Sequence, residues 1–313
     1  MTLQQLEYVI AVDNLRHFAK AAQACFVTQP TLSMMLHKLE EELRVIIFDR
    51  SKQPVVPTEV GVLVIEQARK ILKETAQLRE IIENEKESLS GELRIGIIPT
   101  LAPYLLPLFL KKFSEKYPAI KLFIFELTTE NIVYKLKKDL LDIGIMATPS
   151  GDTTLFESLL FKEEFVVYAA KNESVLEKKY LIANDIDVNR LVLLEEGHCM
   201  RAQVINLCEL RQISNQMSNI FYESGSIETL KNLIEMHAGI TILPELSLRN
   251  FTEEQFENIR YFKEPAPVRE ISLVTYRSFV KKRLAEALRA EIVNNLPAGF
   301  INSKSKKVLS IKP

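Results

Sequence analysis

Two cysteines nine positions apart are the residues best suited to chemistry in a chain that contains three cysteines. Cys199 follows His198 and precedes Arg201, and Cys208 is the next cysteine. Such a pair has three interpretations: thiols that only pack, part of a metal site, or a redox couple. The metal interpretation is weak, because His198, Cys199 and Cys208 offer three ligands of mixed spacing rather than a C-x-x-C pair.

The redox interpretation has a chemical basis. Positive neighbours such as His198 and Arg201 favour a thiolate at Cys199, and the thiolate is the form that attacks peroxide. The sulfenic acid so formed condenses with a nearby thiol, and Cys208 is the only candidate close in sequence. If residues 200–207 are helical, the two sulfurs lie too far apart for a bond that needs Cα atoms within about 7 Å. Oxidation then has to refold the segment, as a switch requires.

Other signals of catalysis are absent from the sequence. The nine glycines form neither of the phosphate-binding patterns G-x-G-x-x-G and G-x-x-x-x-G-K, and neither H-E-x-x-H nor G-x-S-x-G occurs. The four histidines are scattered along the chain. We therefore predict a protein that is not an enzyme and that holds no cofactor and no metal ion.

Length and composition limit the class of protein. The 313 residues predict two or three domains, and a hydrophobic fraction of 47% with 26% charged residues argues against a disordered or fibrous chain. No run of about 18 apolar residues and no signal peptide is found, which excludes a membrane span. The odd cysteine count predicts a reducing, cytoplasmic environment. A net charge of −1 argues, taken alone, against a nucleic-acid binder.

The first sixty residues nevertheless predict a helix-turn-helix. Two helices joined by the turn Cys25–Thr28 have the expected size, and the second begins near Pro30. Cys25 itself is predicted to be a core thiol. The second helix of such a motif enters the major groove and presents the side chains at its start, here Gln29, Thr31, Ser33 and Met34, with Lys38 at a phosphate. The same spacing also occurs in helical domains unrelated to DNA.

A long helix and an α/β region follow. Apolar residues from Val60 to Ile82 recur at nearly heptad spacing, which favours pairing with a second subunit over packing on the helix's own domain. After Gly91, strand and helix patterns alternate and predict a parallel α/β sheet, forming either one sheet or two lobes with a cleft. The predicted strands include Asp142–Ala147, Arg190–Leu194 and Ile271–Tyr276, and the lysine-rich tail after Pro297 is predicted to be disordered.

Several segments closely resemble the amino-terminal signature of LysR-type transcriptional regulators. They are Ala21-Ala22, Val27–Ser33, Lys38–Leu43, Phe48-Asp49-Arg50, Thr58 and Gly61. The chain departs from the family at Arg44, where a glycine is usual. If that position requires a left-handed backbone, arginine costs about 1–2 kcal/mol relative to glycine.

The resemblance implies the fold and its division into domains. It implies a winged helix-turn-helix (1–58), a linker and dimerisation helix (59–90), and a two-lobed regulatory domain like periplasmic binding proteins (91–300). The lobes would be approximately 91–161 with 268–300, and 162–267, followed by a basic tail (301–313). It also implies double-stranded DNA, a homodimer, a homotetramer and RNA polymerase as partners. The implied DNA-binding residues are Gln29, Pro30, Thr31, Ser33, Lys38 and Arg50.

The cysteine region looks like that of the peroxide-responsive OxyR subgroup of this family. The Gly-His-Cys sequence and a second cysteine nine residues later are the hallmark, and further matching segments are Pro99-Thr100, Pro103–Pro107, Ser226–Leu230 and Gly239–Pro244. The resemblance implies that Cys199 is the peroxidatic and Cys208 the resolving cysteine. Thr100, Thr129 and His198 would hold hydrogen peroxide and an activating water. A simpler interpretation is that both threonines only cap helices.

The sequence thus predicts a cytoplasmic regulator that senses hydrogen peroxide and is reset by a thiol reductant system. Two alternatives remain at this point: a LysR-type regulator that binds a small metabolite between its lobes, and a free-standing thiol peroxidase. The helix-turn-helix argues against the peroxidase.

Overall fold

The computed structural model describes residues 1–84, 89–194, 199–208, 216–217, 220–221, 225–236, 239–277, 279–300 and 307–309. The chain divides into two compact units, Met1–Ser88 and Leu89–Pro313. Among the described residues, no helix is long and apolar enough to cross a membrane.

The amino-terminal unit is built from helices and a small wing. Its helices are α1 (Leu3–Leu15), α2 (Phe18–Ala24), α3 (Gln29–Leu43) and α4 (Glu59–Asn84). Between α3 and α4, two short strands pair antiparallel, namely β1 (Phe48–Asp49) and β2 (Val56–Pro57). The predicted helix-turn-helix, its wing and the long helix are all present.

A compact core and a cap fix the position of α3. The Thr28 hydroxyl accepts a hydrogen bond from the N–H of Thr31 at 3.4 Å, and Pro30 occupies the first turn, where no backbone donor is needed. The apolar side of α3 is fully buried against α1, through Val9, Val12, Leu32, Leu36 and Leu39. The opposite side of α3, which carries the predicted DNA-binding residues other than Arg50, therefore faces outward.

Backbone conformation and close contacts account for the residue types at three positions around the wing. Arg44 ends α3 with φ at 54°, so the left-handed conformation that favours glycine is present. The Thr58 hydroxyl donates to the carbonyl of Ile46 at 2.6 Å and accepts from the N–H of Gly61 at 2.9 Å. A Cβ on Gly61 would lie 2.0 Å from the carbonyl oxygen of Ile47, so a side chain there does not fit.

The carboxyl-terminal unit is organised around a mixed sheet. Its described strands are β3 (Gly91–Ile97), β4 (Ile120–Glu126), β5 (Ile143–Thr148), β6 (Leu155–Ala169), β7 (Tyr180–Leu181), β8 (Gln216–Met217), β9 (Ile220–Phe221), β10 (Ile240–Pro244), β11 (Ile259–Phe262), β12 (Pro267–Tyr276) and β13 (Lys307–Val308). The sheet order is β4-β3-β5-β12-β6-β11-β7, with β10 against β6 and β13 against β12. Strands β8 and β9 pair with each other.

Strand β6 belongs to both halves of this sheet. Its residues 155–164 pair with β12, whereas residues 165–169 pair with β10 and residues 166–168 pair with β11. Strands β3, β4, β5 and β12 therefore form one lobe with the first part of β6. Strands β7, β10 and β11 form the other lobe with its last part, in agreement with the predicted two-lobed fold.

Helices connect these strands. They are α5 (Ala102–Lys116), α6 (Thr129–Lys137), α7 (Cys199–Leu207), α8 (Ile227–Met236), α9 (Glu253–Glu257) and α10 (Lys282–Asn294). Leu93 and Ile95 of β3 and Phe113 of α5 have no exposed surface, which places the core of the first lobe between sheet and helix.

Two sequence predictions about strands are wrong. The sheet is mixed rather than parallel, because β12 runs antiparallel to both β5 and β6. Residues 190–194 do not form a strand; a 3-10 turn at Val188–Arg190 leads to an isolated bridge between Leu191 and Ile240. The Asp187 carboxylate accepts the N–H of Asn189 at 3.0 Å and stabilises that turn, so an apolar run after it is buried without extending as a strand.

The prediction of a disordered tail is wrong for the described residues 307–309. Lys307 and Val308 pair in parallel with Pro267 and Val268 of β12. Leu309 is 3% exposed, and its N–H donates to the carbonyl of Val268 at 2.9 Å. Burial of one apolar side chain and backbone pairing hold this basic segment against the sheet.

Candidate functional site

Cys199 occupies the first position of α7, and its side chain is 8% exposed. The backbone N–H groups of Cys199 and Met200 interact with its sulfur. Because the N–H groups at a helix amino terminus carry partial positive charge, they stabilise a thiolate at this position.

A buried ion pair supplies a full positive charge to the same site. Arg269 of β12 and Glu163 of β6 are both fully buried, with Nε of Arg269 2.7 Å from Oε2 of Glu163. The other carboxylate oxygen accepts the N–H of Leu246 at 2.7 Å. The guanidinium also donates to the Thr100 hydroxyl at 3.0 Å. These bonds fix Arg269 where its charge lowers the pKa of Cys199.

The two predicted site threonines are not helix caps, since α5 and α6 are preceded by other N-cap residues. Thr100 is bound to Arg269, as described above. Thr129 is the first residue of α6, and its buried hydroxyl has no well-formed hydrogen bond within the described part of the chain. It faces Cys199 and lowers the pKa of that thiol. Arg269, held by Thr100, and Thr129 thus both act on Cys199.

Burial has a larger effect on the pKa of Cys199 than all of these groups together. Loss of hydration raises the pKa of the thiol above its ordinary value, while Arg269, Thr129 and the backbone N–H groups lower it by less in total. The resting form is therefore the protonated thiol. The thiolate is a minor form, for which the surrounding donors are already in place.

The cation that the structure places at Cys199 is not one of its neighbours in sequence. Arg201 donates to the carbonyl of Leu194 at 2.8 Å, and the positive charge that acts on Cys199 comes from Arg269 instead. A sequence signal for Arg269 exists: it shares one strand face with the buried apolar residues of β12, where an arginine is unexpected. His198 lies outside the described residues. Within the described ranges, no group of three or more His, Cys, Asp or Glu side chains could hold a metal ion.

Cys208 lies just beyond the opposite end of α7. It is half-buried, and burial raises the pKa of its thiol to about 11. Its N–H donates to the carbonyl of Val204 at 3.0 Å and so continues the last helical turn. At 1.5 Å per residue, nine helical positions separate the Cα atoms of Cys199 and Cys208 by about 13 Å. Both thiols are free, and α7 has to unwind before they can form a disulfide.

One polar contact joins the two lobes near this site. The hydroxyl of Tyr104, on α5, donates to Oε1 of Glu228, on α8, at 2.9 Å. Burial and the carboxylate together raise the pKa of Tyr104. Lys231 lies 2.7 Å from the other oxygen of Glu228. The contact fixes α8 against the opposite lobe.

The predicted DNA-binding residues fall into two groups on the amino-terminal unit. Gln29, Ser33 and Arg50 line a groove of about 590 Å³, where Arg50 donates to the Ser33 hydroxyl at 3.4 Å and to Glu40 at 2.7 Å. The remaining residues do not line it, although all three are exposed: Pro30, Thr31 and Lys38.

The groove also contains residues that the sequence did not single out. Arg16 and His17 come from the connection between α1 and α2, Lys20 comes from α2, and Gln53 comes from the wing. Their convergence with Arg50 suits a phosphate backbone beside α3. The sequence signal is the cluster of Arg16, His17 and Lys20 at the start of the helix-turn-helix, which a net-charge count conceals.

Two known families match the chain, one on each unit. Residues 3–62 match the bacterial regulatory helix-turn-helix proteins of the lysR family. Residues 86–297 match the LysR substrate binding domain.

Full-length relatives are also similar. The hydrogen peroxide-inducible genes activator of Haemophilus influenzae is 33% identical over 276 residues, 88% of this chain and 90% of that protein. The transcriptional dual regulator OxyR of Escherichia coli K12 is 33% identical over 299 residues, 93% and 96% of the two chains. The solved structure of a full-length OxyR variant from Pseudomonas aeruginosa matches with a TM-score of 0.76 at 32% identity, covering 95% of this chain and 99% of that one. The chain therefore belongs to the LysR family of helix-turn-helix transcriptional regulators.

Proposed function

We propose that this regulator senses hydrogen peroxide by oxidation of Cys199 and disulfide formation with Cys208, and that the resulting switch activates oxidative-stress genes. The carrying observation is the position of the two free thiols at the two ends of α7, with Arg269 and Thr129 directed at Cys199. The peroxide-inducible activators among its relatives support the same assignment.

The first chemical step is attack of the Cys199 thiolate on one oxygen of the peroxide. An S–O bond forms as the O–O bond breaks, and the departing hydroxide takes up a proton to become water. The sulfur loses two electrons and the peroxide gains them, which leaves a sulfenic acid. Thr100, Thr129 and His198 hold the peroxide and the activating water, while Arg269 stabilises the thiolate.

In the second step α7 unwinds and the Cys208 thiolate attacks the oxidised sulfur of Cys199. The S–S bond forms, the S–O bond breaks, and water leaves once the hydroxide is protonated. A thiol reductant system later returns both residues to thiols. The protein works in the cytoplasm, because only a reducing compartment resets the switch.

The remaining parts of the chain have the following roles in this proposal. Residues 1–58 bind duplex DNA through Gln29, Pro30, Thr31, Ser33, Lys38 and Arg50. Residues 59–90 pair two subunits, which is supported by exposed apolar side chains on α4, namely Val60 (47%), Leu63 (66%) and Leu78 (61%). Residues 91–300 form the sensor, with lobes 91–161 plus 268–300 and 162–267, before the tail 301–313. Two dimers form a homotetramer that contacts RNA polymerase at activated promoters.

The test treats reduced protein with one equivalent of peroxide, counts free thiols and maps new bonds by peptide mass, with DNA binding measured in parallel. The parent protein loses two thiols and yields a Cys199–Cys208 peptide. Cys199→Ser loses none, Cys208→Ser stops at the sulfenic acid, and the control Cys25→Ser behaves like the parent. Survival of all three thiols in the parent protein overturns the proposal.

A further inference from the structure

The carboxyl-terminal segment 307–309 contacts α7, the helix that begins at Cys199 and is followed by Cys208. Gln203 lies in the middle of α7, has no exposed surface, and donates from Nε2 to the carbonyl oxygen of Leu309 at 3.2 Å. Leu309 follows β13 and is itself buried in the core of the unit. A segment more than a hundred residues away in sequence therefore holds α7 at its centre.

The same segment is attached to the strand that carries the site arginine. β13 pairs with Pro267 and Val268, and Arg269 is the next residue of β12. The tail thus lies between β12 and α7, the two elements that supply Arg269 and Cys199. Phe300, before the tail, packs its ring on Phe161 with centroids 5.8 Å apart, so the chain is anchored to the sheet without residues 307–309.

The contact between Gln203 and Leu309 depends on α7 being helical. A disulfide between Cys199 and Cys208 requires the residues between them to leave the helix, since about 13 Å must shrink to about 7 Å. Gln203 lies in that stretch and cannot keep its position. The Oε1 atom of Gln203 is buried without a partner among the described residues, so the contact is incompletely satisfied even in the helical state.

We propose that the carboxyl-terminal strand is a latch on the sensing helix: through Gln203, Leu309 holds α7 in its reduced form and slows the approach of Cys208 to Cys199. The inference rests on the proposed redox function and adds a positioning role for Gln203 and Leu309. Formation of the sulfenic acid leaves the latch closed, because Cys199 reacts at the helix end. Disulfide formation opens it and frees residues 307–309 from α7.

The test measures the two chemical steps separately in the full-length protein and in a variant that ends at Phe300. The step at Cys199 is followed as sulfenic acid in the Cys208→Ser background, and the second step is followed as disulfide. Loss of one hydrogen bond and one buried leucine should speed disulfide formation about fivefold or more. The rate of sulfenic acid formation should change less than twofold.

Rescue separates a latch from a general loss of stability. A synthetic peptide of residues 301–313 should restore slow disulfide formation in the shortened protein, whereas the same peptide with Leu309→Asp should not. In the full-length chain, Leu309→Ala should act like the truncation. The matched control Leu181→Ala, which removes an equally buried leucine from β7, should leave the ratio of the two rates unchanged.

Equal disulfide rates in the shortened and full-length proteins overturn the latch, as does a parallel change in both steps. Absence of sulfenic acid in the full-length Cys208→Ser protein overturns the proposed function instead, so the two failures are distinguishable.

Discussion

At the scale of single residues, Cys199 combines burial with positive potential. Burial favours the neutral thiol, whereas Arg269, Thr129 and the helix amino terminus favour the thiolate. Burial keeps large reagents away from the thiol. The donors around the sulfur stabilise the thiolate whenever Cys199 loses its proton. Hydrogen peroxide is small enough to use such a site.

This balance predicts the pH dependence of the first oxidation step. Because the pKa of Cys199 is raised, the thiolate fraction and hence the rate of sulfenic acid formation should rise about tenfold per pH unit across the neutral range and up to pH 9. Thr129→Val removes a hydroxyl that lowers this pKa, so its whole rate profile should move to higher pH. Stopped-flow measurement in the Cys208→Ser background gives the profile.

Thr129→Ser is the matched control, since it keeps the hydroxyl and should follow the parent profile. Stability of the Val variant should change little, because the hydroxyl has no well-formed hydrogen bond within the described structure. A rate that is flat between pH 6 and pH 9 contradicts the raised pKa.

A site residue can be predicted from the sequence when the residues that reveal its role are close to it in the chain. The cysteine spacing is local and visible, and so are Thr100 and Thr129 once the resemblance is noted. Arg269 is not visible in this way, because its effect on Cys199 depends on the position of β12, some seventy residues further along the chain. Adjacent charge in sequence suggested Arg201, whose side chain is directed to Leu194 instead.

At the scale of elements, the end of α3 carries backbone strain. Arg44 is left-handed at φ 54°, where a residue with a Cβ is disfavoured. Arg44→Gly should stabilise the amino-terminal unit by about 1 kcal/mol. The substitution removes the backbone strain, but the greater conformational entropy of glycine in the unfolded chain offsets part of that gain. Hydrogen exchange of the α3 and wing amides should show the gain locally.

Arg44→Ala serves as the control for charge, because alanine keeps the Cβ and loses the guanidinium. It should give no comparable gain. Equal stabilisation by alanine and glycine would show that the charge, rather than the backbone, is the source of the strain.

Elements with strong periodic signals were predictable, and those defined by distant partners were not. α3 and α4 have apolar stripes and caps within their own sequence. The first part of β6 is a strand because β12 lies beside it, and residues 190–194 do not form a strand although they are more apolar. Leu309 in the tail is likewise held by residues distant in sequence, because β12 and α7 supply its hydrogen-bond partners.

At the scale of the whole molecule, near-zero charge coexists with a basic groove. Some acidic residues of the amino-terminal unit are paired internally: Asp13 lies 2.8 Å from Arg69, and Glu40 lies 2.7 Å from Arg50. The cations that face the groove are few, so affinity for DNA should fall only modestly with salt. We expect a slope equivalent to fewer than about six phosphates per subunit in a plot of log affinity against log salt.

Arg50→Ala should reduce that slope by about one phosphate, and Lys111→Ala, which removes an exposed cation from the carboxyl-terminal unit, should leave it unchanged. Fluorescence anisotropy on an operator fragment at several salt concentrations measures both. A slope steeper than six phosphates per subunit would show that bulk charge dominates binding.

In the proposed mechanism, the placement of the two cysteines at opposite ends of α7 has a consequence for the strength of stimulus that the protein can register. After the first oxidation, the sulfenic acid persists until α7 unwinds. During this time a second peroxide molecule competes with Cys208 for reaction with the sulfur of Cys199. That competing reaction gives a sulfinic acid, from which no disulfide forms. On this proposal, a slow flux of oxidant converts nearly every molecule to the disulfide form, whereas a burst that outpaces helix opening leaves a fraction of them without the disulfide.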